Sequence, residues 1–306
     1  MKTNNTLIAL TLLLILGASG CAPTGMHTKK IALVTTNLTN PFFVDMVAGA
    51  RAELSKHPGY QLIVQAPEKS SDVERQIQIL ENLAAQKIDV LCVDPADSKG
   101  IISTLRQFNS AGIPIIIVDV KLDPQRVKEL GVHSDGFIGS DNFAGGELAG
   151  RFVVKQLHEQ GRIAILEGLS GVEAAANRKV GFLSAFKQAP GIQVVASLPA
   201  DWEREKGMNV FQGILQAHPD LDAVFACNDE MALGAARVPH AAHKLLFVGF
   251  DATDEARQAV KSGILDATVA QEPKEMGRLA VKNAIKLLEG KTIRPQIETP
   301  LELITR

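Results

Sequence analysis

Cysteine and an excess of one charge are the first things this sequence lacks. It has 3 cysteines in 306 residues, too few for a small scaffold held together by disulfides. Its 32 Lys and Arg residues are balanced by 34 Asp and Glu, so it has no cationic surplus for binding nucleic-acid phosphates. Hydrophobic residues make up 46% of the chain, which excludes a disordered protein. A large globular protein is left, with a length typical of about two domains.

The common short motifs of catalysis and phosphate binding are absent as well. There is no GxSxG, no HExxH and no Walker loop, and no GxGxxG opens a helix. The glycines of Gly145–Gly146 and Gly168–Gly171 are not spaced for a phosphate. His240 and His243 stand beside Pro239, but two histidines in a polar connector are more often exposed to solvent than bound to a metal. We therefore expect neither metal, nor cofactor, nor enzymatic activity.

What the sequence does contain begins with an export signal. Lys2 precedes an apolar stretch, Leu7–Leu16. As a helix this stretch would span about 15 Å, half of a bilayer, which is typical of the h-region of a signal peptide and too short for a membrane anchor. No later segment reaches the roughly 18 continuous apolar residues of a membrane span, so we expect no transmembrane helix.

The small residues that end at Cys21 resemble the lipobox of bacterial lipoproteins, with Ala18 where that motif usually has leucine. The resemblance implies that residues 1–20 are a signal peptide and that Cys21 is lipidated, which leaves residues 21–29 as a lipid-anchored tether. The chain would then be exported to the periplasm or cell surface and would meet the membrane only through its lipid. An ordinary secretory signal cleaved near Ala22 is the alternative.

The other two cysteines are predicted to be core residues without a disulfide. Cys92 lies in the run Ile88–Val93 and Cys227 ends the run Ala223–Cys227. Each run indicates a buried strand in a different half of the chain, and thiols in separate cores are too far apart to be bridged.

Short β-branched runs alternate with longer amphipathic stretches through the rest of the chain. The predicted strands are Lys30–Thr35, Gln61–Gln65, Val90–Val93, Pro114–Val118, Arg162–Leu166, Gln193–Ser197, Ala223–Ala226, Leu245–Gly249 and Ala267–Ala270. The predicted helices are Pro41–Lys56, Asp72–Gln86, Lys99–Ala111, Asn142–Glu159, Glu173–Gln188, Glu203–Ala217, Glu230–Val238, Thr253–Lys261 and Lys274–Leu288. Such alternation predicts parallel sheets, because parallel neighbours need a crossover connection. It pauses near Phe137–Asp141, which favours two doubly wound α/β domains over one large sheet or a TIM barrel.

Polar and aromatic residues follow the predicted strands, where open parallel sheets bind their ligands. They are Thr36, Asn40, Phe42, Phe43 and Asp119 in the first half, and Arg178, Trp202, Asn228, Asp229, Asp251 and Gln271 in the second. Carboxylate, amide and guanidinium groups pair with hydroxyls, which both donate and accept hydrogen bonds. Aromatic rings can lie against the C–H faces of a sugar ring. The set predicts a cleft between two domains for a neutral polyhydroxylated ligand.

Several of these residues also have a purely structural explanation. Asn40 before Pro41 suits a helix N-cap, with the two following phenylalanines in the core. Asp229 suits a helix cap, and Asp119 suits the cap of a turn.

In order along the chain, these residues resemble the ribose-type periplasmic sugar-binding proteins of bacterial ABC transporters. The similarity runs from about Lys30 to Pro300. The segments that carry it are IALVTTNLTNPFF (Ile31–Phe43), PADWEREKGMNV (Pro199–Val210), VFACNDEMALGA (Val224–Ala235), VGFDAT (Val248–Thr253) and TVAQEP (Thr268–Pro273). The resemblance implies a periplasmic binding protein type I fold, in which two flavodoxin-like lobes joined by three crossings close on the ligand. The N-terminal lobe would comprise residues 30–139 and 272–299, and the C-terminal lobe residues 140–271 and 300–306.

The same resemblance implies which side chains contact the ligand. Its contact pattern is matched by Asn40, Phe42, Phe43, Asp119, Arg178, Asn228, Phe250, Asp251 and Gln271, with Trp202 in place of a phenylalanine. Val120 stands where ribose binders have an arginine, and a buried hydroxyl left unpaired costs about 1–3 kcal/mol. This departure argues against ribose and favours a sugar or polyol with an apolar group or fewer hydroxyls on that side.

The implied partner is an ABC permease that recognises the closed form. A sensory protein that presents its ligand to a chemoreceptor or sensor kinase is one alternative. A glycosidase that uses Asp119 and Asp251 as paired carboxylates is another. A sugar-responsive repressor of related fold is excluded, because an export signal stands in place of its DNA-binding helices. The calcium loop of glucose and galactose binders has no counterpart, so the resemblance implies no metal.

Overall fold

The structure, a computed structural model, describes residues 28–239 and 245–306. Over these ranges the chain forms two α/β lobes, each built on a six-stranded sheet, and the predicted fold class is confirmed. The predicted signal peptide, the lipidation site Cys21, the tether up to residue 27, and His240 and His243 lie outside the described residues. No helix in the described ranges has the length and apolar character needed to cross a membrane.

Strands and helices alternate along most of the chain. The strands are β1 (Lys29–Val34), β2 (Tyr60–Gln65), β3 (Val90–Val93), β4 (Ile115–Val118), β5 (Gly136–Gly139), β6 (Gln160–Glu167), β7 (Gly191–Pro199), β8 (Ala223–Ala226), β9 (Leu246–Asp251), β10 (Ala267–Ala270), β11 (Gln296–Glu298) and β12 (Glu302–Thr305). The helices are α1 (Pro41–Leu54), α2 (Val73–Ala85), α3 (Ile102–Ser110), α4 (Pro124–Leu130), α5 (Asn142–Gln156), α6 (Glu173–Ser184), α7 (Arg204–Ala217), α8 (Asp229–Ala235), α9 (Asp254–Ser262) and α10 (Pro273–Leu288).

The two sheets have nearly the same topology. The first has the strand order β11-β5-β4-β3-β1-β2 and is parallel throughout. The second has the order β12-β10-β9-β8-β6-β7 and is parallel except for β12, which is antiparallel to β10. Strands β3, β4, β8 and β10 are buried along their whole length, as expected of parallel strands covered on both faces.

The chain passes between the sheets three times, after β5, after β10 and between β11 and β12. After β10 it returns to the first lobe, where α10 packs on α1. A Cβ atom added to Gly277 would lie 1.8 Å from the carbonyl oxygen of Met46. Two of the crossings are bonded to each other. Thr299 N donates to the carbonyl oxygen of Gly139 at 2.9 Å, and the hydroxyls of Ser140 and Thr299 lie 3.0 Å apart.

Sequence reasoning missed β5 and α4, as well as the short strands β11 and β12. Strand β5 is the tetrapeptide GFIG, which pairs between β4 and β11, so the predicted pause near 137–141 is partly strand. Helix α4 has ordinary boundary signals, with Asp123 accepting from Arg126 N at 2.8 Å and Gly131 at φ 61°. It buries no residue and therefore lacks the apolar periodicity that predicted the other helices.

Cys92 and Cys227 are both free and fully buried. Cys92 belongs to a hydrophobic cluster of the first lobe and Cys227 to the core of the second. The prediction that they are not bridged is confirmed. Burial raises the pKa of each thiol to about 12, so both are unreactive in the folded protein.

Candidate ligand-binding site

A cavity lies between the two lobes, at the carboxyl ends of the strands. About 490 Å³ of space free of protein atoms, part of it open to solvent, lies among its lining residues. Most of the predicted site residues line it: Thr36, Asn40, Phe42, Phe43, Asp119, Val120, Arg178, Trp202, Asn228 and Asp251. Phe250 and Gln271 do not line it and lie directly behind the wall, as described below, and Asp229 does not line it either.

The first lobe contributes the beginning of α1. Asn40 caps this helix, since its side-chain oxygen accepts a hydrogen bond from Phe42 N at 2.9 Å and Pro41 occupies the first helical position. The cap uses the carbonyl oxygen and leaves the amide NH₂ of Asn40 for a ligand. Phe42 and Phe43 form an edge-to-face pair with ring centroids 5.2 Å apart. The structural explanation of this segment is therefore correct, and the same residues also form the cavity wall.

Asp119 and Val120 follow β4. Asp119 has a left-handed backbone conformation (φ 64°), which is uncommon for a residue with a side chain. Val120 belongs to a small apolar cluster with Val172, Ala174 and Ala175 of the second lobe. Val120, the departure noted in the sequence, is thus part of an apolar wall that both lobes build.

Arg178 is the only lysine or arginine among the described residues that line the cavity. Its guanidinium donates to Asn142 Oδ1 at 2.8 Å, to the carbonyl oxygen of Cys227 at 2.7 Å and to Asp251 Oδ1 at 3.2 Å. The guanidinium carbon lies 3.9 Å from the ring centroid of Phe250. Phe250 is fully buried, so it supports Arg178 from behind and does not itself line the cavity.

Asp251 ends β9 and is held by two donors. Gln271 Nε2 donates to Asp251 Oδ1 at 2.8 Å, the same oxygen that accepts from Arg178. Gln271 is buried and faces a neighbouring depression instead of the cavity. It therefore positions Asp251, whose own side chain lies in the cavity wall.

Trp202 is the aromatic residue of the second-lobe wall. Its backbone is left-handed (φ 67°), and its ring lies against Gly168, where an added Cβ atom would be 2.1 Å from two ring atoms. Asn228 caps α8 by accepting from Met231 N at 3.0 Å, and its Nδ2 donates to the carbonyl oxygen of Trp202 at 3.2 Å. One amide side chain therefore both starts a helix and positions the tryptophan.

The prediction that Asp229 caps a helix is wrong, because the neighbouring Asn228 occupies the cap position. Asp229 is fully buried and accepts hydrogen bonds from Thr253 N at 2.7 Å and from the Thr268 hydroxyl at 2.6 Å. It joins α8 to the start of α9 and to β10, and it does not line the cavity.

Sequence reasoning missed Asp94, which also lines the cavity. Asp94 follows β3 directly, as Asp119 follows β4, so the strand-end rule that predicted Asp119 would have found it. The other missed residues lie on loops of both lobes, except Ala174 in the first turn of α6, and nothing in the sequence marks them: Ser70, Pro95, Ala96, Leu169, Val172 and Ala174.

Burial is the main influence on the carboxyl groups of the cavity. It raises the pKa of Asp119 to about 7 and the pKa of Asp251 to about 6, while the charge of Arg178 acts to lower both. Burial, together with the charge of Asp119, raises the pKa of Asp94 well above its usual range. Three carboxyl groups therefore share the cavity with one guanidinium. In the described ranges, no group of three or more His, Cys, Asp and Glu side chains is placed to bind a metal ion.

The lobes touch beside the cavity. The Ser98 hydroxyl of the first lobe accepts a hydrogen bond from Glu173 N of the second at 2.9 Å. Ser98 N in turn donates to the carbonyl oxygen of Gly171 at 3.2 Å. These contacts hold the two lobes together over the cavity in this structure.

Comparisons with known proteins place the chain among solute-binding proteins. A family model described as a periplasmic binding protein domain matches residues 31–292. The ribose import binding protein of Escherichia coli is 38% identical over 284 residues, which cover 92% of each chain. An ABC transporter solute-binding protein from Actinobacillus succinogenes, solved with bound D-allose, is similar with a TM-score of 0.84 and 35% identity, covering 90% of this chain and 97% of that one. Another ABC transporter solute-binding protein, from Bacillus halodurans with bound myo-inositol, has a TM-score of 0.83 and 32% identity, covering 92% of this chain and 96% of that one.

Proposed function

Because this chain belongs to the periplasmic binding protein family, we propose that it captures a monosaccharide or related polyol between its lobes and delivers it to an ABC permease. The observation that carries the proposal is the cavity, where polar side chains and aromatic rings from both lobes face one enclosed space. Ribose, D-allose and myo-inositol, which the similar proteins import or hold, are polyhydroxylated compounds that need such a combination.

Donors and acceptors are distributed over both lobes. Asn40 offers its amide NH₂ from the first lobe, and Arg178 offers guanidinium N–H groups from the second. Asp119 and Asp251 accept from hydroxyl hydrogens on opposite sides of the ligand. Trp202 and the phenylalanine pair of α1 cover the apolar faces of the sugar ring.

Closure follows from this division of the contacts. A ligand that binds both lobes stabilises the closed form by its differential affinity for that form. We place the hinge at the three crossings, with residues 30–139 and 272–299 in one lobe and 140–271 and 300–306 in the other. Thr299 is bonded to Gly139 and Ser140, and Ser98 to Gly171 and Glu173. We expect the Thr299 bonds to persist during the movement and the Ser98 contacts to form only on closure.

Like its relatives, the chain is a binding protein and not an enzyme. Asp251, one member of the candidate glycosidase pair, is bonded to Arg178 and Gln271. Those bonds fix it as an acceptor for a ligand hydroxyl. We expect no release of the aryl group from aryl glycosides incubated with the protein.

A thermal-shift screen of pentoses, hexoses, deoxysugars and polyols tests the proposal. A ligand at about 100 times its dissociation constant adds about 2.7 kcal/mol to the free energy of unfolding. Trp202→Ala should lose most of that gain, whereas Phe143→Ala, which removes an exposed aromatic side chain outside the cavity, should keep it. A panel in which no sugar or polyol stabilises the wild type would refute the proposed function.

Export and lipid anchoring complete the proposal. Lipidation of Cys21 would hold the protein at the membrane beside its permease, since the several acyl chains of a lipoprotein give stable attachment. Cys21→Ser should move the protein from the membrane fraction to the soluble fraction after lysis. Retention of the variant in the membrane fraction would contradict the anchor.

The partner can be identified in cells. If the protein serves a permease, deletion of its gene abolishes uptake of the labelled ligand. If it serves a chemoreceptor or sensor kinase instead, deletion abolishes the response to the ligand and leaves uptake intact.

A further inference from the structure

One corner of the cavity has more hydrogen-bond acceptors than the protein satisfies. Both carboxyl oxygens of Asp94 and Oδ1 of Asp119 are buried and have no donor in good hydrogen-bond geometry among the described residues, although Thr36 and the backbone N–H of Val120 lie close enough to Asp94 to lower its pKa. Asp94 is fully buried and Asp119 is 5% exposed, so bulk water does not satisfy them either. A buried acceptor without a donor is costly, which indicates that a bound molecule supplies the donors.

The two carboxyl groups stand side by side because their strands do. Strands β3 and β4 are hydrogen-bonded neighbours with Val93 opposite Ile117. Asp94 is the next residue after β3, and Asp119 is the next after β4. Neighbouring strands lie about 4.8 Å apart, so both side chains enter the cavity at the same place.

Among the described residues, no cation forms an ion pair with Asp94 or Asp119. Arg178 is bonded to Asp251, and its charge acts on Asp119 without a direct bond. Lys121 does not line the cavity, and its Nζ lies 5.0 Å from the ring centroid of Phe137. Residue 120, the neighbour of Asp119, is a valine within an apolar cluster. The lining residues therefore carry three carboxyl groups and one guanidinium. Burial raises the pKa of Asp94 and Asp119, and a cation placed between them would favour their charged forms.

We propose that the ligand of this cavity is an amino sugar or amino polyol whose protonated amine lies between Asp94 and Asp119. An ammonium group has three donors and no acceptor, which matches the three unpaired oxygens at this corner. It also brings the positive charge that the corner lacks, whereas a hydroxyl brings none. The rest of the ligand meets the hydroxyl-binding groups and aromatic walls already described, so this inference rests on the proposed function.

Isothermal titration calorimetry near neutral pH tests the inference with matched pairs of compounds. The pairs are D-glucosamine with D-glucose, D-galactosamine with D-galactose, and D-glucamine with D-sorbitol. Charge-assisted hydrogen bonds are stronger than neutral ones, so at least one amine should bind about tenfold tighter than its neutral parent. Asp94→Asn keeps the shape of the side chain and removes its charge, and it should abolish that preference. Asp220→Asn, which changes an exposed carboxylate outside the cavity that pairs with Arg162, should retain it.

The outcomes separate this inference from the proposed function. If neutral parents bind as tightly as their amines, or tighter, the inference is wrong and the proposed function stands. If neither class binds, the inference fails, and the proposed function fails with it only if no compound of the thermal-shift panel stabilises the wild type either. If Asp94→Asn does not fold, the wild type can still be tested. Titrations in buffers of different ionisation enthalpy measure how many protons are released when a ligand binds. An amine that enters this acidic corner should release protons on binding, and binding of every amine without proton release would overturn the inference.

Discussion

Replacing Gly168 by alanine would force the side chain of Trp202 to move. A Cβ atom at position 168 would lie 2.1 Å from Cζ2 and Cη2 of the indole, whereas carbon atoms in contact lie about 3.5 Å apart or more. The ring must therefore shift by about 1.4 Å. The backbone of Trp202 is held by the hydrogen bond from Asn228, so the shift falls on the ring. Since this ring lines the cavity, the shape of the binding wall changes.

We expect Gly168→Ala to weaken sugar binding by about 10- to 30-fold. Loss of an aromatic anchor at a binding site typically costs about 2 kcal/mol, and 1.4 kcal/mol corresponds to a factor of about ten. Trp202 is the only tryptophan in the sequence, so its fluorescence reports on the cavity directly. Titration of the best ligand from the screen, followed by tryptophan emission, gives the affinity, and the emission maximum of the free protein reports the displaced ring.

Gly213→Ala is the matched control. Gly213 lies in α7 with nothing near its missing Cβ atom, and alanine is the better helix former there by about 0.5–1 kcal/mol. The control should bind as the wild type does and should be slightly more stable. If Gly168→Ala binds with wild-type affinity and unchanged emission, Trp202 does not form the wall that we assign to it.

Three further predictions follow from the buried groups. Arg178→Met leaves Asp251 without its cation and should lower the free energy of unfolding by about 3–5 kcal/mol near pH 8. The loss should be smaller near pH 5, where Asp251 takes up a proton. Urea denaturation measures both losses, and equal values at the two pH values would contradict this prediction. Burial raises the pKa of Asp119 to about 7, above the ordinary 3.8, so the folded protein holds this proton more tightly than the unfolded chain does. Asp119 therefore contributes fully to the free energy of unfolding below about pH 4. That contribution, at most about 4 kcal/mol, is lost as the pH rises through 7. Thermal unfolding of the ligand-free protein between these pH values, compared with that of Asp119→Asn, measures that loss, and a rise in stability over the same range relative to the variant would refute it. Cys92 and Cys227 should resist iodoacetamide in the folded protein and react fully in denaturant, as mapped by peptide mass spectrometry; labelling of either under native conditions would contradict their burial.

Much of the fold could be predicted because its strands and helices carry strong patterns. The buried runs of β3, β4 and β8 are continuous and apolar, and most helices have an apolar face. Strand β5 was missed because two of its four residues are glycine, and it exists only through pairing with β4 and β11. Such a strand is specified by its neighbours in the sheet, which a single sequence does not show.

The site was predicted in the same uneven way. Asp119, Asp251 and Arg178 were found because charged residues beyond buried strands are conspicuous. Gly168 could not be found, because its importance depends on the ring of Trp202 lying against it. The left-handed backbone of Asp119 and Trp202 was equally out of reach, since tertiary contacts and not local sequence hold these residues there.

A crystal structure of the complex with the tightest ligand from the screen tests the central claim most directly. The account predicts one ligand enclosed between the lobes, with its ring between Trp202 and the phenylalanine pair of α1, hydrogen bonds to Arg178 and Asn40, and the Ser98 contacts of the closed form. A ligand bound outside this cavity, or bound to one lobe while the other stands open, would contradict it.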